Sequence, residues 1–221
     1  MVHRLTLLLT CLAAFALPAS AQFGAKQETG KSTEEIQAER AYRMAVDLSQ
    51  GGGEFSPPEI TGLDLERSAQ LLDGALDVRQ RYCNDRTRPT DQWARNCKIL
   101  GDFYRKGIAV DQNYAVAKRS YEQACFEGNY AEACIQQAFL DHTGRAGEKN
   151  HDDAYKFYKQ ACDLENPRGC AGYGHMLYFG QGAEANRSEG RRVLQQACVD
   201  DDTWACERLR DLGLPEYVEA L

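Results

Sequence analysis

The chain has no C-x-x-C, no H-x-H and no H-E-x-x-H, so the usual frames for a structural or hydrolytic zinc site are missing. No serine has a lysine three residues on. After Ser32, Ser49, Ser56, Ser68, Ser120 and Ser188 come Glu, Gly, Glu, Leu, Gln and Arg, and there is no Lys-Thr-Gly. That excludes the usual serine arrangement for opening a β-lactam. Basic residues are scarce, 26 Lys and Arg against 33 Asp and Glu, which argues against nucleic acid or an anionic lipid surface as partner. Long apolar runs are missing too. The longest, Leu5 to Leu17, falls short of the roughly 20 residues that span a bilayer, so no stable membrane insertion is expected.

That short run instead reads as the core of a secretory signal. His3 and Arg4 precede it, and Ala19-Ser20-Ala21 supplies the small residues for cleavage after Ala21. Export to a bacterial periplasm or beyond the cell is therefore expected. Cys11 leaves with the leader, and eight cysteines remain of nine. An even number in an exported chain points to four disulfides.

The cysteines fall in four close pairs: Cys83 and Cys97, Cys125 and Cys134, Cys162 and Cys170, Cys198 and Cys206. From Cys97 and Cys125 onward, corresponding members recur every 36 or 37 residues, the mark of a stacked helical repeat. Other columns share the period. Gly101, Ala138 and Gly174 follow one cysteine, while Ala75, Ala117, Ala154 and Gly190 precede the other. Small residues on facing helices allow close approach. Gly107, Gly144 and Gly180 stand where the first helix of each unit must stop in the left-handed conformation. Phe103, Leu140 and Met176, with Tyr121, Tyr158 and Leu194, should fill the space between helices. Packing explains every strong column.

Each cysteine pair flanks a short helix–helix turn, where Cα atoms lie close enough to be bridged. Eight cysteines permit 105 pairings. Turn geometry favours nearest neighbours: Cys83–Cys97, Cys125–Cys134, Cys162–Cys170 and Cys198–Cys206. The expected organisation is a leader (1–21), a lead-in with a helix over Ser32 to Ser49 and a Gly/Pro linker (22–62), then the repeats (63–221). The repeats divide into a half unit (63–92), units near 93–129, 130–166 and 167–202, and a C-terminal segment (203–221).

The pattern Leu100-Gly101-x-x-Tyr104-x-x-Gly107, then Ala115-x-Ala117-x-x-x-Tyr121-x-x-Ala124-Cys125, resembles a Sel1-like repeat. The added cysteines make it similar to the Helicobacter cysteine-rich proteins. The second unit departs, with Gln137-Ala138 for Leu-Gly and Asp141 for Tyr, which predicts looser packing there. The resemblance implies an all-α fold: a right-handed α-solenoid of antiparallel helix pairs, TPR-like, stapled by disulfides, with a concave face. It also implies an adaptor role, and in the cysteine-rich branch penicillin binding and weak β-lactam hydrolysis.

The first helix of each unit should line the concave face. Asp102, Phe139 and His175 lie five residues after the cysteine, and Arg105, His142 and Tyr178 lie eight after. They are the expected binding strip. The expected function is a monomeric scaffold binding a protein or peptide in the envelope or outside the cell, without catalytic residue, metal or cofactor. A β-lactam-binding or hydrolysing protein is the alternative. The cations from Arg86 to Lys106 read as a solvated face.

Overall fold

Glycine closes three of the helices and asparagine opens the next three, which sets the rhythm of the chain. The computed structural model describes residues 62–215 and Ile36, all within the unit Lys31–Leu221. The leader, its cleavage point and residues 216–221 lie outside the described residues. Of the expected 32–49 helix only Ile36 is described, and it is helical. Eight helices follow among the described residues: α1 (Gly62–Asn84), α2 (Thr90–Lys106), α3 (Tyr114–Phe126), α4 (Ala131–Thr143), α5 (His151–Asp163), α6 (Pro167–Phe179), α7 (Arg187–Val199) and α8 (Thr203–Asp211). No strand interrupts them.

Helices α2, α4 and α6 end at Gly107, Gly144 and Gly180, with φ of 70°, 72° and 68°. A Cβ is strained in that conformation. The following helices begin at Asn113, Asn150 and Asn186, whose side chains accept from the backbone N–H of Val116, Asp153 and Glu189. Their own N–H groups donate back to the carbonyls of Tyr104, Asp141 and Leu177 at 2.8–2.9 Å. This asparagine column, twelve residues before Cys125, Cys162 and Cys198, went unread in the sequence. It fixes the turn inside every pair.

Successive helices pack on their neighbours in three pairs, α2/α3, α4/α5 and α6/α7, with α1 before them and α8 after. Phe103, Leu140, Met176, Tyr121 and Leu194 are fully buried between helices. Tyr158 differs, because it is only partly covered. The expected loose packing in the second pair does not occur. Gln137 and Asp141, 1% and 2% exposed, bond to each other at 3.0 Å, and Asp141 pairs with Lys118 of α3. A buried polar cluster replaces the apolar contact.

Four cystines join each unit to the next. Cys83–Cys97, Cys125–Cys134, Cys162–Cys170 and Cys198–Cys206 have Cα separations of 4.3 to 4.8 Å. All four tie the end of a second helix to the following first helix. Around the first, the basic stretch is not merely solvated. Arg86 lies 4.0 Å over the Trp93 ring and pairs with Glu127, and Arg88 lies 3.4 Å over Tyr82. At the far end, Leu214 packs on α7 and α8, and the carbonyl of Pro215 accepts from Gln195. These two residues cap the stack.

Candidate binding groove

First helices supply nearly all of a groove of about 480 Å3. Arg105 comes from α2; Ile135, Gln136, Phe139 and His142 from α4; Arg168, Gly172, His175 and Met176 from α6; Trp204 from α8. The one second-helix contribution is Tyr158 of α5. It reaches the groove because α6 has Gly172 there. A Cβ at Gly172 would meet the Tyr158 ring at 2.4 Å, closer than atoms can approach. Burial raises the Tyr158 phenol to about 12, so it stays neutral.

Arg105, Phe139, His142 and His175 of the expected strip are brought together here. Asp102 and Tyr178 are not. Asp102 is 8% exposed, accepting from the Tyr121 hydroxyl (2.7 Å) and from Lys98 (2.9 Å). Arg105 donates to the same hydroxyl (3.1 Å), with its guanidinium 3.7 Å from Asp102. Asp102 therefore holds Arg105 from behind. Burial, then the Asp102 charge, pushes the Tyr121 phenol far up. Tyr178 packs edge-on against Phe179 instead.

His142, His151 and His175 are the only histidines beyond His3, and all three lie along this region. The His142 ring meets His151 at 5.1 Å, and His175 meets Trp204 at 5.4 Å and Phe179 at 4.7 Å. Burial chiefly, then His151 and Lys149, lowers the pKa of His142. For His175, burial, then Arg208 and His142, lowers it to about 4. Both rings are neutral near pH 7.

Cations sit on the groove's aromatic rings. Arg145 is 5.2 Å from the Phe139 centroid, while Arg168 and Arg208 are 5.8 and 5.3 Å from that of Trp204. Arg168 pairs at 3.4 Å with Asp202, the residue that caps α8. The lining holds no carboxylate, serine or lysine. No group of three or more His, Cys, Asp or Glu side chains able to hold a metal occurs among the described residues. None of the described helices is long and apolar enough to cross a membrane.

Sequence reasoning missed Trp204, Arg168, Ile135, Gln136, Gly172, Met176 and Tyr158. A usable signal was present for several. Stepping back by helical turns from five after the cysteine gives one or two after it, then two before it. Those offsets hold Ile135, Gln136, Gly172, Arg168 and Trp204. Tyr158, on a second helix, had no such signal.

No family profile matches the chain. Over 107 residues, 46% of this chain, it is 31% identical to a cytochrome c oxidase assembly factor 7 homolog of Drosophila melanogaster, spanning 37% of that protein. A Sel1 repeat protein of Oxalobacter formigenes superposes with a TM-score of 0.57 at 18% identity, over 79% of this chain and 57% of that one. A protective antigen of uropathogenic Escherichia coli with an SLR fold gives 0.55 at 19% identity, over 80% and 34%. Helicobacter pylori cysteine-rich protein B gives 0.47 at 21% identity, over 62% and 97%, and that likeness adds nothing to the assignment. Antiparallel pairs, glycine stops and the superpositions agree: the chain has the Sel1-like repeat fold.

Proposed function

We propose that the protein is an exported scaffold whose groove takes an extended segment of another protein. One observation carries this: α2, α4, α6 and α8, one helix from each successive unit, form a single lining, with Arg105 from α2 and aromatic and apolar side chains from α4, α6 and α8. Helices packed about 10 Å apart give such a groove a length of about 30 Å. That is roughly nine residues of extended chain. A groove built on packed helices and cross-linked turns is already ordered, so little ordering entropy is lost when the segment docks. Four cystines suit an oxidising compartment, in keeping with export.

The test uses the oxidised protein and a library of fluorescent peptides about nine residues long. Phe139→Ala and Trp204→Ala should each weaken the best binder at least tenfold. Phe126→Ala should leave it unchanged, because Phe126 is exposed and outside the lining. Equal effects from all three would sink the groove reading. Export is tested separately, by a mature N-terminus at Gln22 and no free thiol.

A further inference from the structure

This chain carries more acid than base, 33 against 26, yet its groove has the opposite character. Arg105 and Arg168 line it, Arg145 and Arg208 lie on its rings, and no carboxylate is in the lining. A solvated surface of an acidic protein would carry acids at random among these positions. The carboxylates that do pair with the lining cations stand behind them. Asp102 and Asp202 have side chains only 12% and 9% exposed, while that of Arg168 is 51% exposed. Asp202 is committed to the first turn of α8, where it accepts from the N–H of Ala205 at 2.8 Å. Asp202 thus orients the Arg168 guanidinium while half of that side chain stays in solvent. Between the cations lie the apolar surfaces of Phe139, Met176 and Trp204.

We infer that the groove selects acidic segments: an aromatic or aliphatic side chain seated by Trp204 and Phe139, flanked by a carboxylate that pairs with Arg168. The inference rests on the groove reading above and adds the chemistry of the partner. A planar guanidinium already held on one edge offers its other edge to a carboxylate in a two-bond fork. Long-range attraction then acts on the peptide's approach, so charge should appear in the association rate and in the salt dependence. Lysine-bearing partners cannot make this pairing and meet a like charge at Arg168, so they bind more weakly.

The test needs three peptides of equal length: one with Glu on both sides of a Phe, one with Lys in place of Glu, and one with Glu but Gly in place of Phe. Trp204 is the reporter, in a Trp93→Phe background that removes the other tryptophan. The Glu–Phe peptide should bind at least tenfold tighter than either of the others, and raising salt from 50 to 500 mM should weaken it several-fold. Arg168→Glu supplies a readout that misfolding cannot imitate. It should lose the Glu–Phe peptide and gain the Lys–Phe peptide. If the Glu and Lys peptides bind wild type equally and Phe139→Ala weakens both, the charge inference is overturned while the groove reading stands. If no peptide saturates Trp204 at millimolar concentration, both fall.

Discussion

The first and third helix pairs occupy the same columns of the repeat but close by different means. In α2/α3, Gly101 makes room for a ring: a Cβ there would meet Tyr121 at 2.5 Å, and that ring is then tied to Asp102 and Arg105. In α6/α7 the backbones themselves touch. A Cβ at Gly190 would lie 2.6 Å from the N of Tyr178 and 2.7 Å from the O of Gly174, and the ring position is taken by Leu194. The small residues of these two columns therefore have two meanings, a seat for a side chain or a contact between main chains. The first pair gains a hydrogen-bonded network that positions a groove cation, and the third gains closeness.

Removing all four staples that join these pairs to their neighbours gives the largest effect. Bridges closing loops of 8 to 14 residues stabilise by about 2.6–3 kcal/mol each in the chain-entropy model. Four together reach about 10 kcal/mol, as much as the whole stability of many domains. Reduction at pH 8 should abolish the cooperative far-UV melt near 37 °C. A reduced protein melting within a few degrees of the oxidised one would show that packing alone holds the stack.

Next come the two glycines. Gly190→Ala forces main chains apart and should cost about 3 kcal/mol or more in denaturant titration. Gly101→Ala displaces a side chain and should cost about 2 kcal/mol. The comparison sharpens on a Tyr121→Leu background, which gives the first pair the third pair's residue. There the added cost of Gly101→Ala should shrink by at least 1 kcal/mol, a coupling that a double-mutant cycle measures directly. No change in that cost would mean that Gly101, too, is a main-chain contact.

The second pair offers a smaller effect. Truncating Asp141 to Ala strands Lys118, whose side chain is 34% exposed and can turn towards water, so the loss should be about 2–3 kcal/mol rather than that of a fully buried pair. Changing Gln137 and Asp141 together to Leu should instead restore most of the stability. The Oε1 of Gln137 is buried without a hydrogen-bond partner among the described residues, and apolar packing relieves that. A thermal melt of the single and double variants decides between the two outcomes.

The period, the helix stops and the close columns were legible because each follows from backbone geometry that one residue type satisfies. Gly107, Gly144 and Gly180 are of this kind. The Asn113, Asn150 and Asn186 caps obey the same logic, and the column was simply not read. What the sequence concealed was direction. Asp102 and His175 share a column, yet one is a buried acceptor and the other lines the groove, because Tyr121 offers Asp102 a hydroxyl and Leu194 offers His175 nothing. Tyr158 enters the lining only through the absence of a Cβ at Gly172, a relation between two helices that periodicity within one cannot reveal.

That shared column yields the smallest and most local prediction. Where the first pair has Asp102, the third has His175, whose pKa is lowered from 6.5 to about 4 by burial, then Arg208 and His142. The unfolded chain binds a proton near pH 6.5 and the folded chain does not until about pH 4. Stability from this group is therefore complete above pH 6.5, falls as pH drops towards 4, and is level below that. Partial exposure of the ring limits the loss to about 1–2 kcal/mol. His142 of the neighbouring unit, also lowered, acts in the same sense. His175→Phe should flatten the melting temperature between pH 6.5 and 5, a range above the ordinary titration of carboxylates, with any residual slope left by His142. Asp102→Asn, which weakens the contacts to Tyr121 and Lys98, should lower the melting temperature. If the His175 ring protons titrate near 6.5 by NMR, the groove is wetter than its packing implies, and the third pair is no drier at this column than open surface.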